Sequence, residues 1–359
     1  MKKLPAVGGV VVLLAILAVA ATAAMGATKA QKSKGTIAFL LSGPDLYYQY
    51  GLKGAEAAAK KLGYDVKVYP NPNISPSTEL ANVQNAIAAH VVAIDGYSVG
   101  LSTETATIDQ ATRAHIPIFL MYGYSSKYVG KQGVVGFEQT DLVSYGKPDG
   151  TFMKSALKTG GQVGVITGQL GRGDAEGYRT GFLQGLGCKG DTVGGNPPLS
   201  CAKDVQYVAT ETGHWLRPQA YTAAQDIIGK FPNLKGLFVE NEDMAVGVHT
   251  ALVAAHKDKQ VTLVSANGAP YGLAGIKAGW LAASDTCSPS LEGLYSVRLI
   301  DAYLNKKIQG GKLYYSHTAF VTKQNMKDAV GWTFFQQPSQ VAKWMSAPLL
   351  TPVAHPPAS

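Results

Sequence analysis

Apolar positions come in short continuous runs separated by longer stretches of helical period. Thr36-Ile-Ala-Phe-Leu-Leu41 is a run of the kind expected for a strand buried on both faces of a parallel sheet. A helix is predicted from about Leu46, ending at Lys60-Lys61-Leu62-Gly63, with basic residues in the last turn and glycine at the stop. Asp65–Tyr69 reads as the next strand, and Ser75-Pro76 sets an N-cap and first-turn proline before a helix with Leu80, Val83, Ala86 and Ile87 on one face. Further strands are predicted at 91–94, 116–121, 134–137, 163–167, 205–209, 237–240 and 262–265, with helical stretches between them. Such alternation implies right-handed βαβ units and an α/β fold, and its length implies two similar lobes. Past Phe334 the chain turns rich in Pro, Gln and Ser, so residues 337–359 are expected to form a tail.

The N-terminus departs from this pattern. Met1-Lys-Lys is followed by the apolar run Val10–Ala21 and by small residues at Ala21-Thr22-Ala23 and Met25-Gly26-Ala27. This is the layout of a cleaved secretory signal over residues 1–27. Export to the periplasm or beyond is the expectation, and because no Cys follows the apolar run, no lipid anchor. An oxidising compartment would let Cys188 and Cys201 pair across their Gly/Pro-rich loop, leaving Cys287 as a buried small hydrophobe.

The chain of 359 residues carries 32 Lys and Arg against 24 Asp and Glu. Loss of Lys2 and Lys3 leaves 30 against 24, a net charge of +6. These charges are dispersed, with no basic stripe interleaved with aromatics, which argues against a nucleic-acid partner. The seven His are scattered and no H-E-x-x-H occurs, so no protein-built metal site and no cofactor are expected.

Candidate chemistry gathers where strands run into helices. Phe238-Val-Glu-Asn-Glu-Asp-Met-Ala-Val-Gly247 is an apolar strand entering an acidic helix start, with Asn241 at the junction, where open α/β sheets bind ligands. Tyr47, Tyr48 and Trp215 fall at similar places, and flat rings there can stack on the C–H faces of a sugar. Gly96-Tyr-Ser-Val-Gly100 fits the G-x-S-x-G nucleophile elbow, which would make Ser98 a hydrolase nucleophile with His317 and Asp285 or Asp301 downstream. The absence of an HGG-type oxyanion loop weighs against that reading, and the glycines have a turn-forming reason of their own. Asp141 is expected to cap a helix, and Pro148 to kink that helix or delay its start. The loop Gly168–Asp174 lacks the glycine order of a dinucleotide site, and its Arg172-Gly173-Asp174 reads as turn chemistry.

Several segments, in order, resemble the periplasmic sugar-binding proteins of the ribose-binding type. The strand into Asn241 is similar to that family's F-x-x-N-D-x-M-A-x-G, and Leu46-Tyr-Tyr…Gly-Ala resembles its P-F-W-x-x-x-x-x-G-A. Glu79-Leu-Ala-Asn-Val-Gln84, His115-Ile-Pro-Ile118, Glu176–Phe182, His214-Trp-Leu-Arg217, Ala266-Asn267-Gly268 and Gly279–Ala283 are further likenesses. The resemblance implies two Rossmann-like lobes with parallel sheets, joined by a three-crossover hinge. Residues 31–137 plus 287–318 would form one lobe, and 138–286 plus 319–336 the other.

Ligand contacts would then come from Asp45, Tyr47, Tyr48, Asp95 and Tyr122 on the first lobe and Trp215, Arg217, Asn241 and Asn267 on the second. Where the family places an Asp-Arg pair this chain reads Tyr122-Gly123, which argues against ribose and other simple pentoses. The implied function is that of a monomeric, non-enzymatic receptor passing a sugar or polyol-like ligand to an ABC permease in the cytoplasmic membrane. A sensory module for a membrane receptor is the alternative in a second class.

Overall fold

Strands whose alternate side chains enter two different cores dominate the architecture. The computed structural model describes residues 32–122, 126–128, 130–170, 173–189 and 196–353. The expected signal segment, Gly123, Arg172 and the last six residues lie outside that set. The chain runs β1 (Thr36–Leu40), α1 (Leu46–Leu62), β2 (Asp65–Tyr69), α2 (Pro76–Ala88), β3 (Ala93–Gly96), α3 (Leu101–Arg113), β4 (Ile118–Met121) and β5 (Val134–Gln139). It continues through α4 (Leu142–Ala156), β6 (Gly161–Thr167), α5 (Gly173–Leu186), β7 (Leu199–Ser200), β8 (Val205–Thr212), α6 (Arg217–Lys230), β9 (Leu234–Val239) and α7 (Glu242–Ala254). The remainder holds β10 (Thr262–Asn267), α8 (Pro270–Ala278), β11 (Ala283–Thr286), α9 (Pro289–Leu304), β12 (Lys312–Tyr315), β13 (Ala319–Thr322) and α10 (Pro338–Ser346).

Two sheets result, ordered β12-β5-β4-β3-β1-β2 and β13-β11-β10-β9-β6-β8-β7. Every pairing in the first is parallel, and in the second only the edge strands β7 and β13 run antiparallel. The chain passes between the sheets three times, after β5, after β11 and after β12. In β1, Ile37 and Phe39 enter one core, and Ala38 and Leu40 the other. That alternation, buried on both faces, is why the run is continuously apolar.

Helix ends follow local chemistry. Asp45 accepts from the Tyr47 amide at 2.7 Å, and Ser75 and Asp141 cap α2 and α4 by accepting from the Thr78 and Ser144 amides. Gly63 closes α1 at φ 85°, in the left-handed region open to glycine. Pro148 does not delay α4, which begins at Leu142. Helices α1 and α9 pack so closely that a Cβ on Gly54 would lie 1.7 Å from the Ser290 carbonyl oxygen. Cys188 and Cys201 are disulfide-bonded, and Cys287 is a buried free thiol.

The tail expectation is corrected as far as Val353. Arg298 donates to the Trp344 carbonyl at 2.8 Å and to that of Ala347, and the Val353 amide donates to the Leu313 carbonyl at 2.8 Å. Val341, Trp344, Leu349 and Leu350 join the α1–α9 core, so a polar-looking segment is held by a few well-placed apolar side chains. The short strands β11, β12 and β13 were not anticipated either. Ala283-Ser-Asp-Thr286 has no apolar run, and its burial comes from the strands and helices on either side. Among the described residues no helix is long and apolar enough to cross a membrane.

Candidate ligand-binding cleft

Both sheets reverse their strand order beside their first strand, between β1 and β3 in one and between β6 and β9 in the other. Loops leaving the carboxyl ends of strands diverge at such points and open a crevice. Here the crevices of the two sheets meet in one cleft of about 390 Å³, within the usual range of roughly 300–1,000 Å³ for small-molecule sites. One side is built by residues 43–48 after β1, Ile74 and Tyr122. The other is built by Asp174 and Tyr178, by 214–216 after β8, by 241–243 after β9, and by Asn267 and Tyr271. Trp332 completes the lining.

Seven aromatic rings line it: Tyr47, Tyr48, Tyr122, Tyr178, Trp215, Tyr271 and Trp332. Tyr47 is the centre of the first wall, edge-on to Tyr48, Tyr122 and Trp332 with centroids 6.3, 5.5 and 5.4 Å away. Trp332 is held by its indole N–H, which donates to the carbonyls of Asn267 and Cys287 at 3.0 and 2.9 Å. Trp215 lies on the Gly168 backbone, so closely that a Cβ there would come within 2.0 Å of the indole.

The backbone is also unusual at this place. Among the described residues eleven non-glycine residues have positive φ, and five of them, Ile74, Tyr122, His214, Trp215 and Asn267, line the cleft. Such conformations cost stability and persist where the surroundings impose them, often at ligand sites.

The polar residues have defined local duties. Asn241 caps α7, its Oδ1 accepting from the Met244 amide at 2.8 Å and its Nδ2 donating to the Trp215 carbonyl at 3.4 Å. Asn267 Oδ1 accepts from the Tyr178 hydroxyl at 3.1 Å. Glu242 accepts from the Gly268 amide and the Ser284 hydroxyl, each at 2.6 Å. Burial raises its carboxyl to about 8 against those bonds. Asp45 is raised by burial, opposed by the Tyr47 amide bond and reinforced by Asp243. Carboxylates thus edge the cleft at Asp45, Asp174, Glu242 and Asp243, and no Lys or Arg appears among its described lining residues.

Asp45, Tyr47, Tyr48, Tyr122, Trp215, Asn241 and Asn267 therefore meet at one site. Two expected contacts do not. Asp95 is fully buried, its carboxylate accepting from the Gly96 amide at 2.8 Å and the Ser296 hydroxyl at 2.6 Å. Its role is to join β3 to α9. Arg217 starts α6 and pairs with Asp243 of the rim at 2.7 Å, without itself lining the cleft. Tyr178, Glu242, Asp243, Tyr271 and Trp332 escaped the sequence reading. The acidic helix start did flag the carboxylates, but as dipole partners, and Trp332 sits in an irregular stretch that carries no periodic signal.

The elbow-like Ser98 is engaged otherwise. Its hydroxyl donates to Glu79 at 2.8 Å, and the same carboxylate takes the Val99 amide and the Thr107 hydroxyl at 2.7 Å each. His317 packs instead against Tyr295 and Trp344, and Asp301 accepts from Lys34 and Tyr64.

Residues 37–308 match the periplasmic binding protein domain family. The ribose import binding protein of Haemophilus influenzae is 26% identical over 312 residues, which is 85% of this chain and 94% of that protein. The D-allose-binding periplasmic protein of Escherichia coli is 27% identical over 177 residues, 49% of this chain and 53% of that one. Among solved structures, an ABC transporter periplasmic solute binding protein from Actinobacillus succinogenes with bound D-allose superposes with a TM-score of 0.72 at 23% identity, over 82% of this chain and 100% of that one. With the two-sheet fold and the cleft between them, the match over residues 37–308 shows that the chain belongs to the periplasmic binding protein domain family.

Proposed function

We propose that the protein captures a small neutral polyhydroxylated solute, a sugar or polyol, and delivers it to an ABC importer. The observation that carries this is the ring-walled cleft where the carboxyl ends of both sheets meet. Flat rings bind the apolar C–H faces of a pyranose or furanose, while Asn241 and Asp45 address its hydroxyls. The carboxylate edge disfavours an anion. Relatives named for ribose and D-allose support the class of ligand.

Binding would close the two sheets about the three crossings, since a ligand touching both sides favours the closed state. The receptor would act as an exported monomer, its N-terminal signal removed, with the membrane permease as its partner. Ser98 has no catalytic part in this reading. Its hydroxyl bonds to a carboxylate that is already tied to the loop backbone.

A thermal-shift panel tests the reading, because a ligand that binds only the folded state raises the melting temperature. D-allose, other hexoses or polyols should raise it. Silence across all of these, with a rise from aromatic acids or amines, would overturn the sugar reading. Fluorophosphonate labelling that disappears in Ser98→Ala would restore the hydrolase.

A further inference from the structure

Beneath the cleft, the three segments that pass between the sheets converge on two buried carboxyls. Glu138 lies at the end of β5, Glu292 in the first turn of α9, and Ser316 just after β12. The Ser316 hydroxyl donates to Glu138 Oε1 at 2.7 Å. Both oxygens of Glu292 receive the Tyr47 hydroxyl, at 2.7 and 2.8 Å. That hydroxyl also lies 3.0 Å from the Tyr122 hydroxyl and 3.4 Å from the Cys287 sulfur, and Tyr122 in turn is 2.9 Å from Thr140. Tyr47, the central ring of the first wall, is therefore anchored by its far end to the crossings.

We propose that Glu292 is a positioning residue for ligand binding, tying the Tyr47 ring to the crossing segments, and that it does so as a neutral carboxyl. The inference rests on the cleft being the ligand site.

The chemistry of the cluster favours neutral carboxyls. No Lys, Arg or His makes an ion pair with either carboxyl among the described residues, and two unpaired carboxylates cannot both be ionised cheaply in a dry interior. Burial pushes Glu292 up to about 8 against its bonds from the Tyr47 hydroxyl. Glu138 is raised well above the carboxylate range, first by burial, then by Glu292, and further by Asp95 from β3. Its Oε2 is buried without a hydrogen-bond partner among the described residues, a position where negative charge is least tolerated. The other titratable groups facing the pair are neutral: Tyr47 on α1, Tyr97 after β3, Tyr122 after β4, Tyr178 on α5 and Cys287 after β11 are all raised by burial.

The sign follows. A carboxyl raised in the folded state contributes stability at low pH, and the contribution is lost as pH rises from the ordinary carboxylate range to about 8.

The test uses the mature chain with Glu292→Gln, Glu292→Leu, Tyr47→Phe and the Leu/Phe double variant. D-allose calorimetry and thermal melting are read between pH 5 and 9. Glu292→Gln keeps an oxygen for Tyr47 and has no proton to lose. It should bind within about twofold of wild type at pH 6, and its melting temperature should fall less than that of wild type as the pH rises to 8. Glu292→Leu and Tyr47→Phe should each weaken binding about tenfold, with the double variant no worse, because both remove one bond.

Equal pH profiles for wild type and Glu292→Gln, or additive losses in the cycle, overturn the proposal. If Glu292→Leu does not fold, the Glu292→Gln profile decides. If wild type does not bind D-allose, the cycle is run with whichever sugar or polyol of the thermal-shift panel raises the melting temperature, and if none does, the sugar reading and this proposal with it are overturned.

Discussion

Asn241 joins fold and function closely enough that the two can be separated by substitution. It is 8% exposed, and its side chain caps α7 through the 2.8 Å bond from the Met244 amide. After that cap and the bond to Trp215, one Oδ1 lone pair and one Nδ2 hydrogen remain for a ligand. Asn241→Leu removes the cap and leaves the Met244 amide, inside the protein, without its acceptor, at a cost of about 1 kcal/mol. For a chain of this size that corresponds to a fall of about 1–2 °C in melting temperature. Asn241→Ser keeps a good capping oxygen but loses the amide donor, so it should melt close to wild type.

Affinity should behave differently. Both variants leave a ligand hydroxyl unpaired, a loss of about 1–3 kcal/mol, or about tenfold in Kd at the middle of that range. Scanning calorimetry gives the first comparison and titration calorimetry with D-allose the second. If Asn241→Leu melts like wild type, or Asn241→Ser melts as low as Asn241→Leu, the capping argument fails. If Asn241→Ser binds as well as wild type, Asn241 does not address the ligand.

Three further outcomes are expected. Gly54→Ala should destabilise the protein by about 1–3 kcal/mol in a urea melt, because its Cβ would overlap the Ser290 carbonyl and force α1 from α9. Glu242→Gln should flatten the decline in stability between pH 5 and 8. The wild-type carboxyl is held near 8 by burial, so its contribution is lost as pH rises through that range, and equal profiles would refute this. Thiol titration of denatured, unreduced protein should find one free thiol, Cys287, and three would rule out the Cys188–Cys201 bond.

What the sequence determined by itself was whatever depends on neighbours along the chain. Continuous apolar runs marked β1, β4 and β6, since a strand covered on both faces needs apolar residues at every position. Ser75-Pro76, Asp141 and the Lys60–Gly63 stop marked helix ends through bonds spanning only a few residues. Rings and Asn241 at strand–helix junctions were legible as cleft candidates because ligands bind at carboxyl ends in this class of fold.

Tertiary structure decided which junction residues face the cleft and which face the core. Asp95 looked equivalent to Asp45, yet Ser296, 201 positions further on, claims its carboxylate. Arg217 was drawn off by Asp243, across 26 positions, and Trp332 was brought under Tyr47 by carbonyls of Asn267 and Cys287. The apparent tail became part of a core because Val341, Trp344, Met345, Leu349 and Leu350 pack against α1 and α9. Periodicity records how a segment meets its own neighbours; which distant backbone or carboxyl completes a site depends on how two sheets are threaded three times by one chain.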